Sequence, residues 1–241
     1  MDALIYTIMS GAERALHAQQ VRANNLANAD TSGFRADLEL ATSQAVPGYG
    51  YDSRHFSQLQ ANSLTMRGGG VRETGRDLDV AIGGEGMLAV RWQGGEAYTR
   101  AGNLAVDGEG ALTANGHPVL GDDGPIVLPP HSQVEIATDG TISVLSSGQR
   151  DMQPVDRLKL VRADAAQLTK NEAGLIVARN GAALPTDETV TVSSKHLESS
   201  NVSAVEEMVA TMSLNREFEI QMRLLKSADS MAASGNHLIS E

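Results

Sequence analysis

Near the N-terminus, apolar side chains recur every three or four residues, as they do in a helix with one packing face. The recurring positions step by 4, 3, 4, 3, 4 and 3 residues: Ile5, Met9, Ala12, Leu16, Gln19, Ala23 and Leu26. This period of 3.5 residues is that of a coiled-coil seam. It predicts a helix over roughly residues 3–28. Because a lone helix of this length is marginal in water, we expect it to need a partner helix.

A second helical pattern occupies the C-terminal part of the chain. Ser199, Ser200 and Asn201 are candidate N-caps, and Glu206 and Glu207 place negative charge in the first turn. The apolar positions that follow keep steps of three or four residues if Asn215 is counted with them: Val205, Met208, Met212, Phe218, Met222 and Leu225. The pattern predicts a helix over about residues 202–232. We therefore expect the two terminal helices to pair as a coiled coil.

The region between the helices has two characters. Residues from about 45 to 75 are rich in Gly, Ser, Gln and Tyr without clear periodicity, which favours an extended connector. From 78 to about 192, short apolar runs at 78–82, 87–91, 134–137 and 157–161 alternate with turn signals such as Asn115-Gly116 and Asp139-Gly140. These signals predict a mostly antiparallel β domain. The expected fold is α+β, divided into an N-terminal helix at 1–34, a connector at 35–76, a β-rich domain at 77–196 and a C-terminal helix at 197–241.

Composition narrows the possible partners and compartments. With 241 residues, 41% of them apolar, the chain can bury a core. Its net charge of -11 disfavours nucleic acid and anionic membrane surfaces as partners. It has no Cys, so disulfides and thiolate sites are excluded. No stretch approaches the length of a membrane span, and Asp2 stands where a secretory signal needs positive charge, so export would require another route.

Candidate chemistry is weak throughout the sequence. The six His are scattered without ligand spacing, and no Gly-x-Ser-x-Gly elbow occurs. The glycines at 83–86 fit a strand-turn-strand better than a phosphate loop, because no helix pattern follows them. The acidic turns at 107–110 and 122–124 do not fit the spacing of calcium ligands in an EF-hand. We therefore expect no catalytic residue, no metal and no cofactor, and a protein that is not an enzyme.

Residues 24–35, which read NNLANADTSGFR, closely resemble the N-terminal signature of the flagellar axial family, the rod and hook proteins. Segments 78–90, 98–129 and 197–231 resemble further blocks of that family in the expected order. The resemblance implies a structural subunit that stacks into a helical tube across the periplasm and makes contact with its own copies and with neighbouring rod proteins. It also implies export through the flagellar type III apparatus without a cleaved signal.

The pattern and the resemblance together select a set of expected subunit-interface residues. Fifteen positions belong to it: Ile5, Met9, Ala12, Leu16, Ala23, Leu26, Asn28, Gly33, Phe34, Val205, Met208, Met212, Phe218, Met222 and Leu225. Within the family that the chain resembles, the hook subunit has a much larger middle domain, so the resemblance at this chain length implies a rod subunit. The short connector after Phe34, and Met87-Leu88 where distal-rod and hook proteins usually have paired Phe, favour the proximal-rod type. A distal-rod subunit and a monomeric β-rich extracellular binding module stay open as alternatives.

Overall fold

The protein is α+β, with an N-terminal helix, a β-rich middle and a C-terminal helix, as predicted. The structure is a computed structural model that describes residues 2–45, 55–146 and 148–240. Within these ranges the chain forms two compact units. The helical unit comprises the described residues of Met1–Ala27, Asp37–Asn62 and Ser203–Glu241. The β-rich unit comprises those of Asn28–Ala36 and Ser63–Val202.

The two long helices are α1, Asp2–Ala27, and α2, Ala204–Ser240. After α1 the backbone turns, and the Thr31 N–H donates to the Asn28 carbonyl at 3.1 Å. At the start of α2, Ser203 Oγ accepts a hydrogen bond from the Glu206 N–H at 3.4 Å. The cap is therefore Ser203, and the expected caps at 199–201 lie before the helix. The helix also continues past residue 232, to Ser240.

Seventeen strands lie in the described part of the chain. Those in its first half are β1 (Asp37–Ala45), β2 (His55–Leu64), β3 (Val71–Glu73), β4 (Val80–Ile82), β5 (Gly86–Trp92), β6 (Gly95–Thr99), β7 (Leu104–Val106), β8 (Leu112–Ala114) and β9 (His117–Pro118). Those in its second half are β10 (His131–Ile136), β11 (Thr141–Ser146), β12 (Gln153–Arg157), β13 (Leu160–Arg162), β14 (Leu168–Lys170), β15 (Ile176–Ala178), β16 (Val192–Ser194) and β17 (His196–Glu198). A short 3-10 helix covers Ala165–Gln167.

The largest sheet has the order β13-β5-β6-β15-β14 with antiparallel neighbours throughout. Two three-stranded sheets, β10-β11-β12 and β7-β8-β9, are antiparallel as well. Strands β16 and β4, β17 and β3, and β1 and β2 form two-stranded sheets. The predicted turn at Asn115-Gly116 has positive φ angles of 50° and 81°, as a tight hairpin between β8 and β9 requires.

The core of the β-rich unit lies on both faces of β5. Leu88 and Val90 point into one apolar cluster, and Met87 and Ala89 point into another. This follows from the alternation of side chains along a strand. A strand that is buried on both faces has a continuous run of apolar residues in its sequence, and such a run predicted β5.

Two stretches differ from their expected form. Residues 35–76, expected to be an extended connector, carry strands β1, β2 and β3, while residues 46–54 of that stretch lie outside the described part of the chain. The strand expected at 157–161 is divided, because β12 ends at Arg157 and β13 begins at Leu160. Across the described residues, no helix combines the length and the apolar character that crossing a membrane requires.

Candidate subunit interface

Within the helical unit, α1 and α2 pack side by side in opposite directions. Partner numbers on α2 fall as those on α1 rise, in three contacts that join Gly11 to Gln221, Gln19 to Asn215, and Arg22 to Glu207. The side of α1 that contacts α2, its seam, contains small residues, among them the buried Ala15 and Ala18. At Gly11 an added Cβ would lie 2.8 Å from the Gln221 amide nitrogen. The small side chains therefore let the two helices approach closely.

A buried polar group lies at one end of this helix pair. Arg22 Nη1 donates to both oxygens of the Glu207 carboxylate, at 3.1 and 3.2 Å. The fully buried Asn25 amide also donates to Glu207, at 3.4 Å. The same amide donates to the Asp37 carbonyl at 3.0 Å and accepts from the Asp37 N–H at 2.9 Å. These contacts satisfy polar groups that would otherwise be costly to bury, and they hold the start of β1 against α1.

The expected interface residues on α1 lie beside this seam rather than in it. Met9 and Leu16 are 54% and 45% exposed, and Ala23 is exposed. Ile5, Ala12 and Leu26 are half-buried. The expected positions come one residue after seam positions, as Ala12 follows Gly11 and Leu16 follows Ala15. A step of one residue turns about 100° around a helix, so the predicted stripe faces sideways from the helix pair.

On α2 the expected residues divide between two faces. Phe218 and Leu225 are half-buried on the side of α2 that faces α1. In contrast, Val205, Met208, Met212 and Met222 are 71%, 47%, 62% and 44% exposed. The predicted stripe on α2 therefore does not pack as a single seam against α1, and its part in subunit contacts stays a prediction. Its exposed members remain available to other molecules.

One hydrogen bond shows that exposed residues of both helices share a side of the pair. Gln19 Nε2 donates to Asn215 Oδ1 at 2.9 Å across the rim of the seam. Helical neighbours three, four or seven residues apart lie on the same side. Those of Gln19 and Asn215 include the exposed Leu16, Met208, Met212 and Met222, and the exposed Met9 lies seven residues before Leu16. We call these five residues the methionine face. A monomer that exposes such a row offers a surface for another protein.

The other three expected residues, Asn28, Gly33 and Phe34, belong to the β-rich unit and have contacts there. The Gly33 N–H donates to the Glu198 carbonyl at 2.8 Å. Gly33 has a φ of 68°, and a Cβ on it would lie 2.1 Å from the Arg100 carbonyl oxygen. The Lys170 ammonium lies 4.0 Å from the centre of the Phe34 ring. These contacts explain the residue types, and a part in subunit contacts stays a prediction.

The β-rich unit contains a buried ionic cluster that the sequence pattern did not predict. Glu198 accepts from Arg35 Nη2 at 2.7 Å and from Arg100 Nε at 2.8 Å. The Gly69 N–H donates to the same carboxylate at 2.8 Å. Arg100 also donates to the carbonyls of Gly84, at 2.7 Å, and of Ile82, at 2.6 Å. The cluster thus joins the segment after α1, the segment before α2 and the β4-β5 turn.

The charges in this cluster do not balance. Two guanidinium groups face one carboxylate, and Nε and Nη1 of Arg35 are buried without a hydrogen-bond partner. Burial, together with the charge of Arg35, lowers the pKa of Arg100. Nothing in the local sequence pattern signals the cluster, because its members come from three distant segments. Leu197 and Glu198 are adjacent and both buried, so an alternation of buried and exposed residues does not mark Glu198 either.

Three family models match the chain. They are described as flagella basal body rod protein, at residues 5–35, flagellar hook protein FlgE/F/G D1 domain, at 81–144, and flagellar basal body rod FlgEFG protein C-terminal, at 193–238. Each matched segment contains one member of the ionic cluster: Arg35, Arg100 and Glu198.

Whole-chain relatives were found as well. The flagellar basal-body rod protein FlgF of Escherichia coli (strain K12) is 41% identical, with 100% of this chain and 99% of the relative covered. The FlgF protein of Salmonella typhimurium is 40% identical with the same coverage. The flagellar basal-body rod protein FlgG of Buchnera aphidicola subsp. Schizaphis graminum is 29% identical, with 90% and 93% covered.

Proposed function

This chain belongs to the family of flagellar basal-body rod proteins, and from that premise we propose that it is a structural subunit of the bacterial flagellar rod, of the proximal type. The identities of 41% and 40% to two relatives named FlgF, against 29% to one named FlgG, support the proximal type. We propose that it assembles with its own copies and with other rod proteins through the methionine face. The observation that carries this is a terminal helix pair whose large apolar side chains remain exposed.

The energy available from the methionine face suits a repeated contact. Each of its five side chains is roughly half exposed, and burying the remainder contributes about 1 kcal/mol per side chain. A total near 5 kcal/mol is modest beside the entropy that association costs. One such contact is weak, but contacts repeated by heterologous symmetry build a stable helical filament. Free subunits should therefore stay apart at low protein concentration and assemble only at high concentration, where several contacts form together.

The finer parts of this function are extensions of the same proposal. Segments 1–34 and 197–241 form the rod core, where the helices pair as a coiled coil and transmit torque. The subunit reaches the rod, which crosses the periplasm, through the flagellar type III apparatus as an unfolded chain. The absence of Cys supports such a route, because no disulfide can obstruct unfolding. The role of every proposed interface residue is mechanical, and none is catalytic.

The test is to introduce a charge on the methionine face. Leu16→Asp changes a half-exposed residue, so the monomer should fold with nearly unchanged stability. Burying the new carboxylate against another subunit is costly, so rods should fail to assemble and cells should not swim. Ser227→Asp is the matched control, since it adds the same charge at an exposed position of α2 outside the methionine face. Normal motility of Leu16→Asp cells at wild-type protein levels would contradict the proposed interface.

A further inference from the structure

Four of the five residues in the methionine face are thioethers that solvent reaches. The chain has nine Met and no Cys, so it contains no thiol that would react with an oxidant first. Met9, Met208, Met212 and Met222 are each about half exposed. Met87, in contrast, is fully buried in the β-rich unit. Oxidants of the peroxide class should therefore modify the methionine face before they reach the core.

The reaction needs only the side chain and hydrogen peroxide. The sulfur lone pair attacks one peroxide oxygen, the O–O bond breaks, and an S–O bond forms. The second oxygen leaves as water after it takes up a proton, and the oxygen bonded to sulfur gives up its own proton, so that protons balance. The thioether loses two electrons to become a sulfoxide, and the peroxide gains them. The product is polar and chiral where the reactant was apolar and flexible.

The sulfoxide would act on assembly and spare the fold. The described residues through which α1 and α2 contact each other include Ala15, Ala18, Leu214 and Phe218, and none of them is a methionine. Oxidation of the methionine face therefore leaves the contact between the two helices intact. A sulfoxide buried against a neighbouring subunit without a hydrogen-bond donor should weaken the contact about tenfold.

We infer that the methionine face is an oxidation-sensitive modification site, at which methionine sulfoxide formation by peroxide prevents the subunit from joining the rod. This rests on the proposed function, because it concerns the same face. Reversal needs two electrons from an external thiol-dependent reductase, since the chain has no Cys of its own. The modification must precede assembly, because the proposed contact covers these sulfur atoms.

The test follows full-length protein treated with limiting hydrogen peroxide. Assembly is measured by sedimentation at rising protein concentration, and mass spectrometry quantifies the sulfoxide at each methionine. In partly oxidised wild-type protein, sulfoxides at Met9, Met208, Met212 and Met222 should be depleted about tenfold in the sedimented fraction relative to the soluble one. Those at the half-buried Met66 and Met152 of the β-rich unit should be distributed equally and serve as the internal control. Equal distribution at all positions would overturn the inference.

A variant with leucine at Met9, Met208, Met212 and Met222 provides a second arm. Leucine keeps the apolar volume, so assembly before treatment should resemble that of the wild type. Peroxide should raise the required concentration at least tenfold for the wild type and leave this variant unchanged. Equal sensitivity of both proteins would overturn the inference alone. Assembly of Leu16→Asp, or no sedimentation of untreated wild type at any concentration, would instead count against the proposed function.

Discussion

Removing the carboxylate of Glu198 should destabilise the β-rich unit more than any other single change in its ionic cluster. Glu198→Gln keeps the size of the side chain and removes the negative charge. Arg35 and Arg100 are almost fully buried, so they would be left as two cations without a counter-ion. The new amide group would also direct N–H donors at guanidinium donors. Leaving buried charges uncompensated costs about 3 to 5 kcal/mol.

The net charge of the cluster makes a second, opposite prediction for Arg35. Replacing Arg35 with Met leaves Arg100 and Glu198 as a balanced pair. The change also removes two guanidinium nitrogens that have no hydrogen-bond partner. We therefore expect Arg35→Met to cost less than about 2 kcal/mol, even though Arg35 is as deeply buried as Glu198. The order of the two effects follows from charge balance and not from burial.

The assay is urea and thermal unfolding of the full chain, followed by near-ultraviolet circular dichroism of Trp92 in the β-rich unit. Glu198→Gln should lower the melting temperature by roughly 6 to 20 °C, given 2 to 4 °C per kcal/mol for a domain of this size. Glu188→Gln is the matched control, because that carboxylate is exposed and lies 3.9 Å from Arg157. It should shift stability by less than about 1 kcal/mol. Equal stability of the two Gln variants, or a larger loss in Arg35→Met, would refute the charge argument.

Three further outcomes can be measured on the same protein. Burial raises the pKa of Tyr98 to about 12 from 10.0, so the folded state holds the phenol proton longer than the unfolded state. Stability should fall by about 2 to 3 kcal/mol as pH rises from about 10 to 12, and Tyr98→Phe should lack this part of the fall in denaturation curves. Gly33→Ala should cost more than about 3 kcal/mol through its positive φ and backbone clash, against about 1 to 2 for Gly75→Ala, whose φ is similar and whose surroundings are open. Asn25→Ala should cost about 2 to 3 kcal/mol in helix melting by circular dichroism, since it leaves buried polar groups unpaired, whereas the exposed Gln20→Ala should cost under about 0.5.

Local patterns were sufficient to predict the elements whose residues interact with near neighbours in sequence. The hairpin at Asn115-Gly116 follows from the positive φ that this dipeptide tolerates. Strand β5 follows from its unbroken apolar run, and both helices follow from their periodicity. The start of α2 was misplaced because Asn201, a good capping residue by type, instead accepts from the Ala36 N–H at 2.8 Å. A tertiary contact thus decided between equally plausible caps.

Long-range polar contacts were beyond such patterns. Glu198 lies on a three-residue strand where both faces are buried, so no alternation marks its side as polar or apolar. Its two arginine partners lie 163 and 98 residues away in sequence. Acidic residues are common in a chain of net charge -11, so the residue type alone does not distinguish Glu198. Only the folded chain shows that this carboxylate is shared by two cations.

The mixed character of the predicted stripe on α2 has a geometric cause with a functional consequence. From Val205 to Leu225 the chosen positions take six steps over twenty residues, whereas six full helical turns need more than twenty-one. The stripe therefore winds about 160° around the helix, from the exposed side at Val205 to the seam at Leu225. Apolar residues in a strict heptad repeat would have stayed on one face of α2, and all of them would have packed against α1. Because small residues such as Ala15 and Ala18 close the seam between α1 and α2, the larger Met208 and Met212 are left for the contacts that we propose with other subunits.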